Sequence, residues 1–231
     1  MMKKIIFIFG FLITQLTTNA QIFGVSASLV GSFAHYGYYG GVNQTPLAAR
    51  NVFSVGERVA ADVTFPGEGI PELSFAEIGA TIYNPFIDST VLRLYDKNQY
   101  PIDVIGQRRN TAKNFSLLMA YGFPQSFDDF LHIHYGFGIS VYSERSTYIL
   151  PEQSPNFPYT ASDIDPASLA PYHHTNAEGM LFIGATYEFD KFSILGNYNG
   201  FLSLNQDSYS PDAYKFRHGF SIGVIYHLKE F

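Results

Sequence analysis

The sequence predicts an all-β fold, an antiparallel transmembrane β-barrel of eight strands preceded by a cleaved signal peptide. Three observations carry this. Charged residues are only 15% of the 231-residue chain while aromatics reach 17%; a soluble domain carries about 25% charged residues. Past the N-terminus no apolar run approaches the roughly 18 residues that a membrane helix requires. Apolar side chains recur instead at every second position, which suits strands with one face in hydrocarbon and the other turned inward.

The N-terminus reads as an export signal. Met1-Met2-Lys3-Lys4 is cationic, Ile5 to Leu16 is almost wholly apolar, and Thr17-Thr18-Asn19-Ala20 supplies small and polar residues before Gln21. That order fits cleavage after Ala20, leaving residues 21–231 as the barrel. The chain has no Cys, so neither a disulfide nor a lipid-modified cysteine is expected, and stability has to come from a closed hydrogen-bonded sheet. Without Lys3 and Lys4 there remain 14 − 2 = 12 basic residues against 20 acidic, a net charge of −8. That balance argues against nucleic acid as a partner.

The strands follow in order. Residues 22–36 place Phe23, Val25, Ala27, Leu29 and Phe33 on one face and Gly24, Ser26, Ser28, Ser32 and Ala34 on the other. Residues 51–65 turn Phe53, Val55, Val59, Ala61, Val63 and Phe65 outward, and 73–83 turn Ala76, Ile78, Ala80 and Ile82 outward. In 112–123 the outer set is Phe115, Leu117, Met119, Tyr121 and Phe123. In 130–143 it is Leu131, Ile133, Tyr135, Phe137, Ile139 and Val141, opposite two histidines, glycines and Ser140. Residues 178–189 give Leu181, Ile183, Ala185, Tyr187 and Phe189; the seventh strand gives Phe192, Ile194 and Tyr198; the eighth gives Phe220, Ile222, Val224, Tyr226 and Leu228.

Short connectors (66–72, 124–129, 190–191) alternate with long ones (37–50, 84–111, 144–176, 204–213), and both termini fall on the short side. Membrane barrels have this asymmetry, with short periplasmic turns and long external loops. The 84–111 connector contains an alternating pair, Thr90–Tyr95 and Tyr100–Ile105, around Asp96-Lys97-Asn98-Gln99. Read as membrane strands these would make ten; being short, they are expected as a hairpin above the membrane. Glu57 falls on the lipid-facing parity, and a bulge near Gly56 is expected to turn it inward.

On these grounds, from Gln21 to Phe231, the chain resembles the small eight-stranded outer-membrane barrels of Gram-negative bacteria, the OmpA/OmpX-like and OmpW-like group. The resemblance implies location in the cell outer membrane, contact with outer-membrane lipid and lipopolysaccharide, and insertion by the barrel-assembly machinery, for which Phe231 would be the terminal aromatic signal. Ile222, Val224, Tyr226 and Leu228 lie on the opposite parity from Phe231, so Lys229-Glu230-Phe231 reads as a small tail.

Eight strands enclose a space just wide enough for side chains, which excludes a wide porin-like pore. The inward parity carries Arg58, Asp62, Glu77, His132, His134, Glu188, Arg217 and His227. These read either as an internal plug of ion pairs and hydrogen bonds or as a polar conduit gated by histidines. No cofactor or metal is expected. His132 and His134 share a face and could share a metal, but only with a third ligand at the same depth.

One stretch invites a catalytic reading. Tyr172-His173-His174-Thr175-Asn176 resembles the His-x-Ser-Asn stretch of the eight-stranded lipid A deacylases, with Thr175 in place of the serine. That resemblance makes His173 or His174 the base, Thr175 the nucleophile and Glu188 the candidate acid. The plainer reading is a pair of solvated loop histidines. The 144–176 loop, rich in Pro and Tyr, is the best surface for an envelope protein partner. The expected function is thus a non-enzymatic outer-membrane barrel with a filled lumen. The alternatives are a deacylase-like hydrolase and a narrow conduit for small apolar molecules.

Overall fold

Alternation of apolar and small polar residues builds eight long antiparallel strands that close on themselves in chain order. The computed structural model describes residues 22–36, 50–64, 73–122, 130–149, 163–204 and 214–230. The strands are β1 (Ile22–Tyr36), β2 (Arg50–Thr64), β3 (Leu73–Tyr95), β4 (Pro101–Gly122), β5 (Leu131–Ile149), β6 (Tyr172–Glu188), β7 (Phe192–Ser203) and β8 (Tyr214–Glu230). A one-turn 3-10 helix, Pro166–Leu169, precedes β6. The proposed signal peptide (1–20), residues 37–49 and 150–162 of the 37–50 and 144–176 connectors, the expected outward Phe65 and Phe123, and Phe231 lie outside the described residues.

The register fixes the shape of the barrel. Starting at Gly24 and stepping strand by strand through Asp62, Glu77, Leu118, Gly138, Met180, Phe201 and Arg217, the row of partners returns to β1 at Ala34. The stagger is therefore 34 − 24 = 10 residues over eight strands. With a rise of about 3.3 Å and a strand spacing of about 4.8 Å, such a stagger tilts the strands by about 40° and sets the backbone radius near 8 Å. A cylinder that narrow must be filled by its own side chains.

Most of the expected strands are present at their expected positions, and the differences have physical reasons. The long connector before residue 112 is mostly sheet: β3 runs on to Tyr95 and β4 begins at Pro101, past an irregularity between Tyr83 and Phe86. The hairpin seen in the sequence is thus the upper part of these two strands, and the barrel has eight strands rather than ten. Likewise β5 extends to Ile149 and β6 starts at Tyr172, so the 144–176 connector is shorter than expected.

The expected bulge at Gly56 is absent. Leu29 pairs with Glu57, and Glu57 with Ile82, in unbroken register, so Glu57 stays on the outer, exposed face. At the other end, β8 continues to Glu230, so Lys229 and Glu230 belong to the strand and not to a tail. A register shift sets Gly24 against His227 but Phe23 against Lys229.

Candidate functional site: the lumen and its mouths

We call the end bearing Ile22 and Glu230 the lower mouth. Charged side chains reach the lumen because they occupy the same parity as its Gly and Ser residues, and the closed wall leaves them no other exit. Two apolar clusters fill space around them. Phe75, Leu118, Ala120, Met180, Phe182 and Phe201 form one; Val30, Ala34, Val52, Tyr83, Ala112 and Tyr142 form the other, higher up.

Arg217 is one of the most enclosed polar groups among the described residues. Its guanidinium, 1% exposed, donates from Nε to Glu178 Oε1 at 3.1 Å and from Nη2 to Glu178 Oε2 at 2.7 Å. Nη1 donates to Tyr83 Oη at 2.6 Å and to Ser32 Oγ at 3.4 Å. The guanidinium carbon also lies 3.7 Å from the ring centroid of Phe201 and 4.7 Å from that of Tyr142, a cation–π environment. Glu178, itself fully buried, accepts a third hydrogen bond, from Ser140. The fork–carboxylate pair therefore has most of its polar capacity met inside the wall.

Why these two residues meet is a matter of stagger. Arg217 pairs with Phe201 and Phe201 with Met180, two residues below Glu178. Each step to the next strand climbs about 10/8 residue along the axis, or about 2.5 residues in two steps. The climb cancels the offset and brings Arg217 and Glu178 to one level.

Arg58 anchors a second network lower down. It binds Glu77 and donates to Ser116 Oγ at 2.9 Å and Thr81 Oγ1 at 3.3 Å. Asp62 lies directly opposite Glu77 in the register and is 1% exposed, and neither of its oxygens meets a donor at hydrogen-bonding distance among the described residues. Two carboxyl groups thus share the neighbourhood of one guanidinium. Between this network and Tyr83 and Phe201 lies a cavity of about 30 Å³, room for about two waters.

The predicted lumen histidines separate by depth. His134 is buried, with Nε2 2.9 Å from Asn197 Oδ1, and its ring stands edge-on to Phe75 at 5.0 Å. Gly184 is required beneath this pair, since a Cβ there would collide with Asn197 Oδ1. His132 and Glu188 do not belong to the enclosed plug. They face each other at 3.5 Å with side chains 45% and 43% exposed, so they form a solvated pair at the lower mouth. His227 meets Ser193 Oγ at 2.7 Å nearby. His132 and His134, held by Glu188 and Asn197 respectively, do not converge on a common point.

The catalytic candidates are dispersed. His173 and Thr175 face outward on β6, Thr175 Oγ1 lying 3.4 Å from Ser143 Oγ. Asn176 is buried and accepts from Ser203 Oγ at 3.0 Å. Glu188 stands at the opposite end of the same strand, roughly 45 Å away at the usual rise per residue. It cannot orient His173 or His174.

Sequence reasoning missed Glu178, Tyr83 and Asn197. Glu178 could have been found by extending the parity of Phe182 and Thr186 two turns of the pleat upward. Tyr83 and Asn197 share the inward parity, but only closure of the barrel brings them to their partners.

Above the barrel the β3–β4 hairpin ends in a three-residue loop. Asp96 N–H donates to Tyr100 O at 3.0 Å and Gln99 N–H to Asp96 O at 2.9 Å, with Gln99 in the left-handed region at φ 66°, the geometry of a type I turn with a bulge. The tip is docked on the segment before β6. Asp165 N–H donates to Tyr95 O at 2.8 Å and Lys97 N–H to Asp163 O at 3.2 Å, over a buried Ile164. Asp165 accepts from Ala167 N–H and from Gln99 Nε2, and these bonds, the backbone one first, hold its carboxyl below the usual range.

Comparison with known proteins adds the fold. No family profile and no curated protein sequence matches the chain. Among solved structures, neisserial surface protein A aligns with a TM-score of 0.51 and 11% identity, over 89% of this chain and 97% of that one. The attachment invasion locus protein Ail of Yersinia pestis, in complex with the heparin analogue sucrose octasulfate, aligns at 0.45 and 8% identity, over 91% and 100%. A major outer membrane protein from Thermus thermophilus aligns at 0.45 and 11%, over 88% and 99%. The chain has the closed eight-stranded barrel seen in small outer-membrane proteins.

Proposed function

We propose that this chain is an integral outer-membrane protein that acts without catalysis, with a closed, internally bonded lumen and an external hairpin and loops that meet molecules at the cell surface. One observation carries the reading. Charges are inside and hydrocarbon is outside: Arg217, Glu178 and Asp62 are 0–1% exposed, whereas Val59, Ile82 and Leu181 are 62–69% exposed. Water would leave that exterior unsatisfied, and a bilayer would cover it. The cavity of about 30 Å³ beside the Arg58 network is far below the roughly 150 Å³ that accommodates benzene, which supports a closed barrel over a conduit for small apolar molecules.

The test is fractionation followed by reconstitution. The mature chain is expected to resist carbonate extraction, to dissolve in detergent, and to migrate differently on gels before and after boiling. In planar bilayers it is expected to give no sustained conductance. Recovery as a soluble monomer would overturn the membrane reading; steady open channels would overturn the closed lumen.

A further inference from the structure

Positive charge is concentrated on one sector of the outer wall, just above the apolar belt. Arg109 and Lys113 project outward from β4 and Arg145 from β5; all three are exposed, while Arg108, Asn110 and Glu144 beside them are buried in the lumen. The register sets them side by side. Arg145 lies opposite Thr111, midway between Arg109 and Lys113, and its other neighbour, on β6, is His173. Arg109 and Lys113 are thus about 13 Å apart along the strand, and Arg145 stands on the diagonal about 7–8 Å from each.

Among the described residues no acid directly adjoins these cations on the outer face. The outward residues interleaved with the cations are hydroxyls, Thr111, Ser143, Thr147 and Thr175. Glu144 and Glu178 face the lumen; the outward Glu57 stands two strands from Lys113 across Ile82, about 10 Å away, and farther from both arginines. Among the described residues no carboxylate forms an ion pair with Arg109, Lys113 or Arg145. Arg145 lies within the Debye length of about 10 Å at 0.1 M salt from each of the other two cations, on a chain whose net charge is negative. Directly below are Phe115, 52% exposed, and Val141, 47% exposed, and on β3 the exposed Ile82 and Ile87 stand beside Lys113 and Arg109.

We propose that the Arg109–Lys113–Arg145 cluster binds the phosphate groups of an anionic glycolipid in the external leaflet, with His173 and the interleaved hydroxyls as further hydrogen-bonding groups. The proposal rests on the outer-membrane reading above. Guanidinium forks engage phosphate through paired hydrogen bonds, and the Lys113 stem can lie along the wall above Phe115 while its ammonium reaches the headgroup level. A lipid satisfies both halves of the surface at once, its phosphates meeting the cations and its chains the apolar residues beneath. A free anion or an acidic protein would satisfy only the upper half.

The experiment places the full barrel in nanodiscs of neutral phospholipid doped with lipid A, with dephosphorylated lipid A as the second arm and inorganic phosphate as the third. Retained lipid is read by native mass spectrometry. Wild type is expected to enrich lipid A over its dephosphorylated form, and the preference is expected to fall as salt rises. Each cation is expected to contribute about fivefold, so Arg109→Gln/Lys113→Gln/Arg145→Gln should lose on the order of 100-fold. Lys191→Gln, at the opposite mouth, should lose nothing.

Equal enrichment by wild type and the triple variant would overturn the proposal, as would equal retention of the two lipids or competition by millimolar phosphate alone. If the triple variant fails to show the unboiled gel shift, Arg145→Gln and the salt titration of wild type decide instead. Failure of wild type to enter nanodiscs at all would sink the membrane reading, and this proposal with it.

Discussion

Removing one member of the Arg217–Glu178 pair should cost far more than removing both. Glu178→Leu takes from a guanidinium that is 1% exposed the carboxylate it bonds through Nε and Nη2. Arg217→Met takes from a fully buried carboxylate the guanidinium that donates to both of its oxygens. Breaking a buried pair from one side costs about 3–5 kcal/mol, whereas replacing both partners by apolar residues of similar volume is often neutral. Each single variant should therefore lose about 3–5 kcal/mol, while Glu178→Leu/Arg217→Met should lie within about 2 kcal/mol of wild type. The coupling is then several kcal/mol, well above the few tenths at which distant sites add. Urea unfolding in detergent micelles measures this, read by circular dichroism and tyrosine emission, since the chain has 17 Tyr and no Trp. A double variant as unstable as the sum of the two singles would refute the claim that the two charges stabilise each other in the lumen.

Three further outcomes follow from the lumen, the wall and the hairpin. Asp62→Asn should raise the urea midpoint by the equivalent of about 1–2 kcal/mol, because it removes one of two carboxyls beside a single guanidinium; Glu77→Gln, which takes the anion from Arg58, should lower it. Glu57→Leu should increase the stability of the inserted barrel by about 1–2 kcal/mol, the scale of a lipid-facing acid, and should have no such effect if the residue is turned inward in the bilayer. The Asp165 carboxyl, held below its ordinary value of 3.8 by Ala167 N–H and Gln99, should support the hairpin dock at every pH above that value. The dock should loosen only as pH falls below about 4, seen as faster amide exchange at Ala167; loosening between about pH 7 and 5 would contradict the assignment.

What could be read from the sequence was parity, and parity was enough for the wall. Every outward residue expected between Phe23 and Phe33 is exposed, and Gly24, Ser26, Ser28, Ser32 and Ala34 on the other face are buried, because a strand's side chains must alternate. The upper reaches of β3 and β4 were harder to place. Above the irregularity at Tyr83–Phe86 no membrane selects an apolar outer face, so the pattern weakens although the ladder continues. Glu57 misled for a related reason. Its cost in lipid argued for a bulge, but the ladder bonds to Leu29 and Ile82 keep their register and leave the charge on the wall.

The lumen shows where parity stops. Parity alone sets Arg58, Asp62, Glu77, His134 and Arg217 on the inner face, yet their partners depend on depth, and depth depends on a stagger that no single strand encodes. Two strand steps at about 1.25 residues each carry Arg217 to the level of Glu178, while the same arithmetic leaves His132 and Glu188 below the plug, where solvent reaches them. The basic cluster on the wall has the same origin. Arg109, Lys113 and Arg145 are separated by up to 36 residues in sequence (145 − 109) and become neighbours only because Thr111 pairs with Arg145. Shifting β5 by one residue against β4 would send Arg145 into the lumen beside Arg108 and bring Glu144 out among the cations. The charge sign of this outer sector is thus set by a single hairpin register.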